Sequence, residues 1–153
     1  VSLFFRKKRR EFFSEKEKAQ ILDAIAKAEQ RTSGEIRLFV ESKCRFVDAV
    51  DRAREIFLQL RMTETKQRNG TLIYVAVDDH QAAVFGDEGI HQKVGQSYWE
   101  AEVSKMMIHF KHEHLAEGIC ECINDIGKAL EYYFPYDSAT DKNELPDEIV
   151  FGH

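Results

Sequence analysis

Two acidic pairs and a run of histidines are the parts of this sequence best equipped to hold a ligand. Asp78-Asp79 follows six consecutive apolar residues, Leu72 to Val77, and Asp87-Glu88 stands between Gly86 and Gly89. Adjacent carboxylates repel one another, and a hard cation such as Ca²⁺ or Mg²⁺ relieves that repulsion through oxygen ligands. His109, His112 and His114 form H-x-x-H-x-H, and imidazoles in such proximity are zinc ligands elsewhere. Here Lys111 and Glu113 are interleaved and a helix break is predicted within the run, which reads as solvated surface. Cys120 and Cys122, two residues apart, face different directions on a helix and make a poor metal pair. No G-x-S-x-G, P-loop or G-x-G-x-x-G is present, so no catalytic residue is assigned.

The elements that carry these groups follow from periodicity. Ser14 and Glu17 make an S-x-x-E capping box, and Ile21, Leu22, Ile25 and Ala28 follow at helical spacing, predicting a helix over 15–31. Gly34 ends it, and a strand is expected over 35–41. A second amphipathic helix is predicted from Val47 to Leu60, with Asp48, Asp51 and Glu55 near its positive end. The unbroken apolar run over 71–77 predicts a central strand buried on both faces. Asp78-Asp79-His80 then makes a turn into a third strand, 81–85. Helices are expected over 96–110 and 115–134, and Ile149-Val150-Phe151 is a candidate edge strand. Strand–helix–strand with a short crossover implies two parallel strands joined right-handedly. The expected fold is a three-layer α/β/α sandwich around a small mixed sheet of about four strands.

That topology sends the two acidic pairs to opposite edges. Glu41, Ser42, Asp78 and Asp79 fall at the carboxyl ends of the parallel strands, where open α/β sheets usually take ligands, although Asp-Asp-His also has an adequate explanation as turn residues. The opposite rim gathers Glu35, the loop 62–70 and the loop 86–95. Pairing of the second and third strands must bring those loops together. They offer Asp87, Glu88, Asn69, Thr63, Thr65 and backbone carbonyls, and Gly86 and Gly89 let the chain curl around an ion. Arg68 reads either as an anion clamp on this rim or as a surface partner of Glu64.

Composition narrows the setting. The chain has 153 residues, 43% hydrophobic and 32% charged, enough to bury one core. Residues 1–10 hold five basic residues and no acid, leaving 17 cations against 27 acids, a formal −10, in the remainder. So acidic a body is unlike a nucleic-acid binder. The basic start divides from a central domain over 14–135 and an acidic tail over 136–153; residues 1–13 read as a solvated segment, with weak membrane-surface or nucleic-acid contact by LFFRKKRR as the minor alternative. No run approaches the ~18 apolar residues of a spanning helix. Three cysteines and no recognisable signal segment lead to an expectation of a cytoplasmic protein.

TSGEIRLFV at 32–40, RNGTLIYVAVDD at 68–79, GDEGI at 86–90 and FKHEHLAEGI at 110–119 resemble, in order and spacing, the TPM domain family, over about residues 14 to 135. The resemblance implies an α/β/α sandwich. Divalent-cation binding and acid-phosphatase activity are attributed to some members, which include thylakoid-lumen proteins linked to photosystem II repair and anchored extracytoplasmic bacterial proteins. This chain resembles a stand-alone, cytoplasmic branch. It has Asp87 where many members have the first glycine of Gly-x-Gly, and His91 where many have Glu, so ligands cannot be copied position by position.

The resulting expectation is a divalent-cation-binding domain, Ca²⁺ or Mg²⁺, whose ion orders the two crossing loops. Asp87 and Glu88 would supply carboxylates, with Asn69, Thr65 or Glu35 adding oxygens. The alternative is a metal-dependent acid phosphatase on the same rim, and a third class is an interaction module for an unidentified protein partner.

Overall fold

The computed structural model describes residues 11–136 and 149–152; the basic segment 1–10 and the tail over 137–148 lie outside the described residues. Helix α1, Glu15–Glu29, begins where its capping box demands. Glu17 N donates to Ser14 Oγ at 3.1 Å and Ser14 N donates to Glu17 Oε1 at 2.9 Å, satisfying two otherwise orphaned amides. Ser14→Ala should therefore lower stability by about 1 kcal/mol, read from urea denaturation. Strands β1, Glu35–Glu41, and β2, Gly70–Ala76, flank helix α2, Ala49–Gln59, and β3, Gln81–Gly86, returns beside β2. Helices α3, Glu88–Val94, α4, Gln96–Lys111, and α5, Leu115–Tyr133, precede the short strand β4, Ile149–Phe151.

The sheet order is β3-β2-β1-β4. β1 pairs parallel with β2, Glu35 opposite Gly70 and Glu41 opposite Ala76, and parallel with β4, Leu38 opposite Ile149. β2 and β3 are antiparallel, Thr71 opposite Gly86. Every residue of β2 is buried, as its apolar run requires of a strand covered on both faces. Alternation then sorts the side chains. Ile36, Leu38, Val40, Ile73, Val75 and Val84 pack under α1, α4 and α5, while Leu72, Tyr74, Ala76 and Ala83 pack against Ala53, Ile56 and Phe57 of α2. This is the expected three-layer sandwich with a mixed four-stranded sheet.

The fold departs from the sequence expectations in two places. The segment 86–95, expected as a loop, contains α3, because seven residues are too few for amphipathic periodicity to register. Phe12 and Phe13, from the end of the basic segment, pack inward: Phe13 is buried, and Phe12 stacks on Phe151 of β4 with ring centroids 6.3 Å apart.

Candidate functional site

The rim at the amino ends of β1 and β2 is where the two loops meet. Asp87 N donates to Gly70 O at 2.9 Å and Gly89 N donates to Arg68 O at 2.8 Å. Arg68 sits in the left-handed region at φ 51°. Such a conformation disfavours a branched or bulky residue, and here it accompanies the close crossing. A Cβ on Gly89 would stand 2.1 Å from Gln67 O and 2.6 Å from Arg68 O, so the two backbones approach to a distance only glycine permits.

Asp87 is the centre of this crossing. Its side chain, 5% exposed, receives the Arg68 fork: Nε donates to Oδ2 at 2.7 Å and Nη2 to Oδ1 at 2.9 Å. It also caps α3, accepting from Glu88 N at 2.8 Å. Glu88, 63% exposed, lies 3.4 Å from Arg68 Nη1. One guanidinium thus serves two carboxylates, and the hydrogen bonds it donates to Asp87, followed by the Asp87 and Glu88 charges, hold Arg68 above its ordinary pKa. The sequence offered Glu64 as an equal partner for Arg68; the fold assigns it to Asp87, nineteen residues away.

The remaining expected ligands are close by but differently engaged. Asn69 is 1% exposed; its N–H donates to Thr65 Oγ1 at 3.3 Å and its Nδ2 to Ser33 Oγ at 3.1 Å. Its amide oxygen is buried with no hydrogen-bond donor. Glu35, 3% exposed, donates its backbone N–H to Asn69 O at 3.4 Å. Asn69, Thr65 and Glu35 therefore form one group at the head of β2, beside the Asp87–Glu88–Arg68 group. Among the described residues no three His, Cys, Asp or Glu side chains converge on one point.

A cleft of about 420 Å³ opens beside this rim, along the outer edge of β3, lined by Arg54, Arg68, Asp87, Glu88, His91 and Trp99 among others. Trp99 is buried, and its Nε1 donates to His91 Nδ1 at 3.0 Å, a geometry that selects the imidazole tautomer with its proton on Nε2. Periodicity places Trp99 in the core, and it is there, but its pairing with His91 has no local signature. Sequence reasoning noted His91 only as a departure from the family pattern and passed over Arg54 and Gln96, which also line this edge.

The histidine run is divided as the helix break predicts. His109 on α4 meets Glu121 at 2.9 Å, and His114, preceding α5, lies 3.9 Å from Glu117. At the other edge Asp79 accepts from Cys44 N at 2.7 Å. Beside it Glu41, 5% exposed, accepts from Tyr74 OH and from Arg52.

A four-stranded mixed sheet between helical layers, with two glycine-bearing loops locked at one rim, defines a small α/β/α sandwich domain. The TPM domain model matches residues 7–129, and the chain belongs to the TPM domain family. It is similar over 95% of its length, and over 99% of that chain, to the BA42 protein of the psychrophilic bacterium Bizionia argentinensis, at 39% identity and a TM-score of 0.85. The N-terminal domain of the cg2496 protein from Corynebacterium glutamicum shares the fold at 13% identity and a TM-score of 0.57, over 93% of this chain and 85% of that one. No curated protein sequence matches. Among the described residues no helix is long and apolar enough to cross a membrane.

Proposed function

We propose that this is a divalent-cation-binding domain, for Ca²⁺ or Mg²⁺, whose ion sits on the rim where loop 62–70 crosses the segment 86–95. The observation that carries the reading is that Asp87 and Glu88, consecutive carboxylates on the crossing, share one partly exposed guanidinium. Positive charge is already needed at that point, and a hard cation is the other species able to supply it. The buried Asn69 amide oxygen without a donor is a second oxygen of the kind such ions take. The fit has a condition. Both Asp87 oxygens accept from Arg68, so an ion using them takes the place of the Arg68 fork. Thr65, Glu35, backbone carbonyls and water are the remaining candidate oxygens.

The acid-phosphatase alternative needs a cation to bind substrate phosphate. Arg68, the clamp it would use, is engaged by Asp87 and Glu88 and becomes available to a phosphate only once an ion has taken its place. Three free cysteines accord with action in a reducing compartment, and the cytoplasm is part of the proposal.

Binding to the folded state alone stabilises it by mass action, about 2.7 kcal/mol at a hundredfold excess over Kd. The melting temperature should accordingly be higher in excess Ca²⁺ than in EDTA. Asp87→Ala should abolish that increment, whatever it does to the baseline through loss of the cap. Superimposable curves with Ca²⁺, Mg²⁺ and EDTA would overturn the reading.

A further inference from the structure

The opposite edge of the sheet holds a larger opening. Beyond the carboxyl ends of β1, β2 and β4, the three parallel strands, lies a cleft of about 820 Å³, within the ~300–1,000 Å³ typical of small-ligand sites. Its floor is a charge network centred on the buried Glu41. Glu41 accepts from Tyr74 OH and, through both oxygens, from Arg52: Nε to Oε2 and Nη2 to Oε1, each at 2.9 Å. Arg52 Nη1 donates to Glu55 at 2.7 Å. Burial of such pairs is weak support for stability, because desolvation offsets most of the attraction.

The network does fix Arg52. A guanidinium has five N–H bonds; three are directed at Glu41 and Glu55, and the others meet no acceptor among the described residues. The Arg52 guanidinium carbon lies 5.8 Å from the Phe39 ring and 5.8 Å from the Phe46 ring, and both rings line the cleft. Gly152 completes the wall, since a Cβ there would stand 2.8 Å from Phe39 Cζ.

The charges of the lining are unequally engaged. Each acid has a donor: Glu41 and Glu55 have Arg52, and Asp79 has the Cys44 amide. Lys43 and Arg45, both exposed, form no ion pair with any described residue. The cations of the lining are thus less engaged than its acids, and one of them, Arg52, lies over the Phe39 and Phe46 rings.

We infer that this cleft binds a small aromatic anion, a flat ring against Phe39 and Phe46 with its acidic group among Arg52, Lys43 and Arg45. A pre-oriented guanidinium recognises carboxylate or phosphate oxygens well, because it loses little freedom on binding. The site is separate from the cation rim and needs no metal.

The test is an amide NMR titration of the full chain in EDTA with AMP as the probe, and with adenosine and inorganic phosphate as separate arms. AMP should shift Cys44, Phe46, Asp79 and Gly152 saturably. Adenosine and phosphate should each bind at least about tenfold more weakly, since each lacks one half of the recognition. The double variant Lys43→Ala/Arg45→Ala alters exposed side chains and should keep its melting temperature while binding AMP about tenfold less tightly. Absence of saturable AMP shifts, shifts confined to Asp87–His91, or AMP binding unchanged in the double variant would each overturn the assignment. Phosphate alone binding as tightly as AMP would overturn the aromatic half.

Discussion

Gly89→Ala should lower the unfolding free energy by about 2–4 kcal/mol and release the crossing of the two rim loops. The added methyl would stand 2.1 Å from Gln67 O and 2.6 Å from Arg68 O. Both obstacles are backbone carbonyls, which cannot rotate aside as a flexible side chain would. The chain must separate there, and with it goes the bond from Gly89 N to Arg68 O. The penalty is steric rather than conformational, because Gly89 does not occupy the left-handed region. Urea denaturation measures the loss, and amide exchange over 67–70 and 87–90 locates it. A melting temperature within about 1 °C of the parent would contradict the close approach. The same variant should also weaken any Ca²⁺-dependent increment, since it separates the loop that carries Thr65 and Asn69 from the Asp87 and Glu88 carboxylates.

A second large effect is expected away from both edges, between α4 and α5. Glu102 is 3% exposed, and its carboxyl is pushed up to about 7 by burial and then by the neighbouring Asp125 carboxylate. Lys105 opposes this, with Nζ 3.3 Å from Glu102 Oε2 and 3.1 Å from Asp125 Oδ2. Tyr98 OH donates to the Asp125 carbonyl from the same helix as Glu102, and the buried Cys122 thiol is held upward by desolvation beside these acids. In the unfolded chain Glu102 loses its proton near 4.5, while in the fold it keeps it to about 7.

The folded state therefore binds more protons across that window, and stability falls as pH rises through it. Each pH unit corresponds to about 1.4 kcal/mol for a fully displaced group. Screening around exposed Lys105 reduces the net change to on the order of 2 kcal/mol. Glu102→Gln keeps the shape and removes the titration. It should raise stability at pH 8 and flatten the slope between pH 5 and 7, as measured by denaturation at a series of pH values. An unchanged slope would show that Glu102 is ionised in the fold throughout.

The helices and strands were legible where periodicity runs long enough. The strand over 35–41 coincides with β1, the apolar run over 71–77 lies within one residue of β2, and IVF at 149–151 forms β4. The rim was legible in outline as well. Pairing of β2 with β3 followed from one tight turn, and that pairing carries Asn69 and Asp87 to the same edge. Helix α3 was not, and its absence from the expectation concealed the role of Asp87 as its cap.

By itself the sequence determined the apolar faces of the main helices and strands, that β1 and β2 run parallel, and which acids share an edge. All of these depend on local alternation and on the short reach of turns and crossovers. Tertiary structure alone decided the partners. Arg68 with Asp87, Arg52 with Glu41, Trp99 with His91 and Glu102 with Asp125 join residues eight to twenty-three positions apart. A charged or hydrogen-bonding side chain carries no periodic mark of whom it will meet. That depends on how helices seat across a sheet, where displacement by a single residue would substitute a different neighbour.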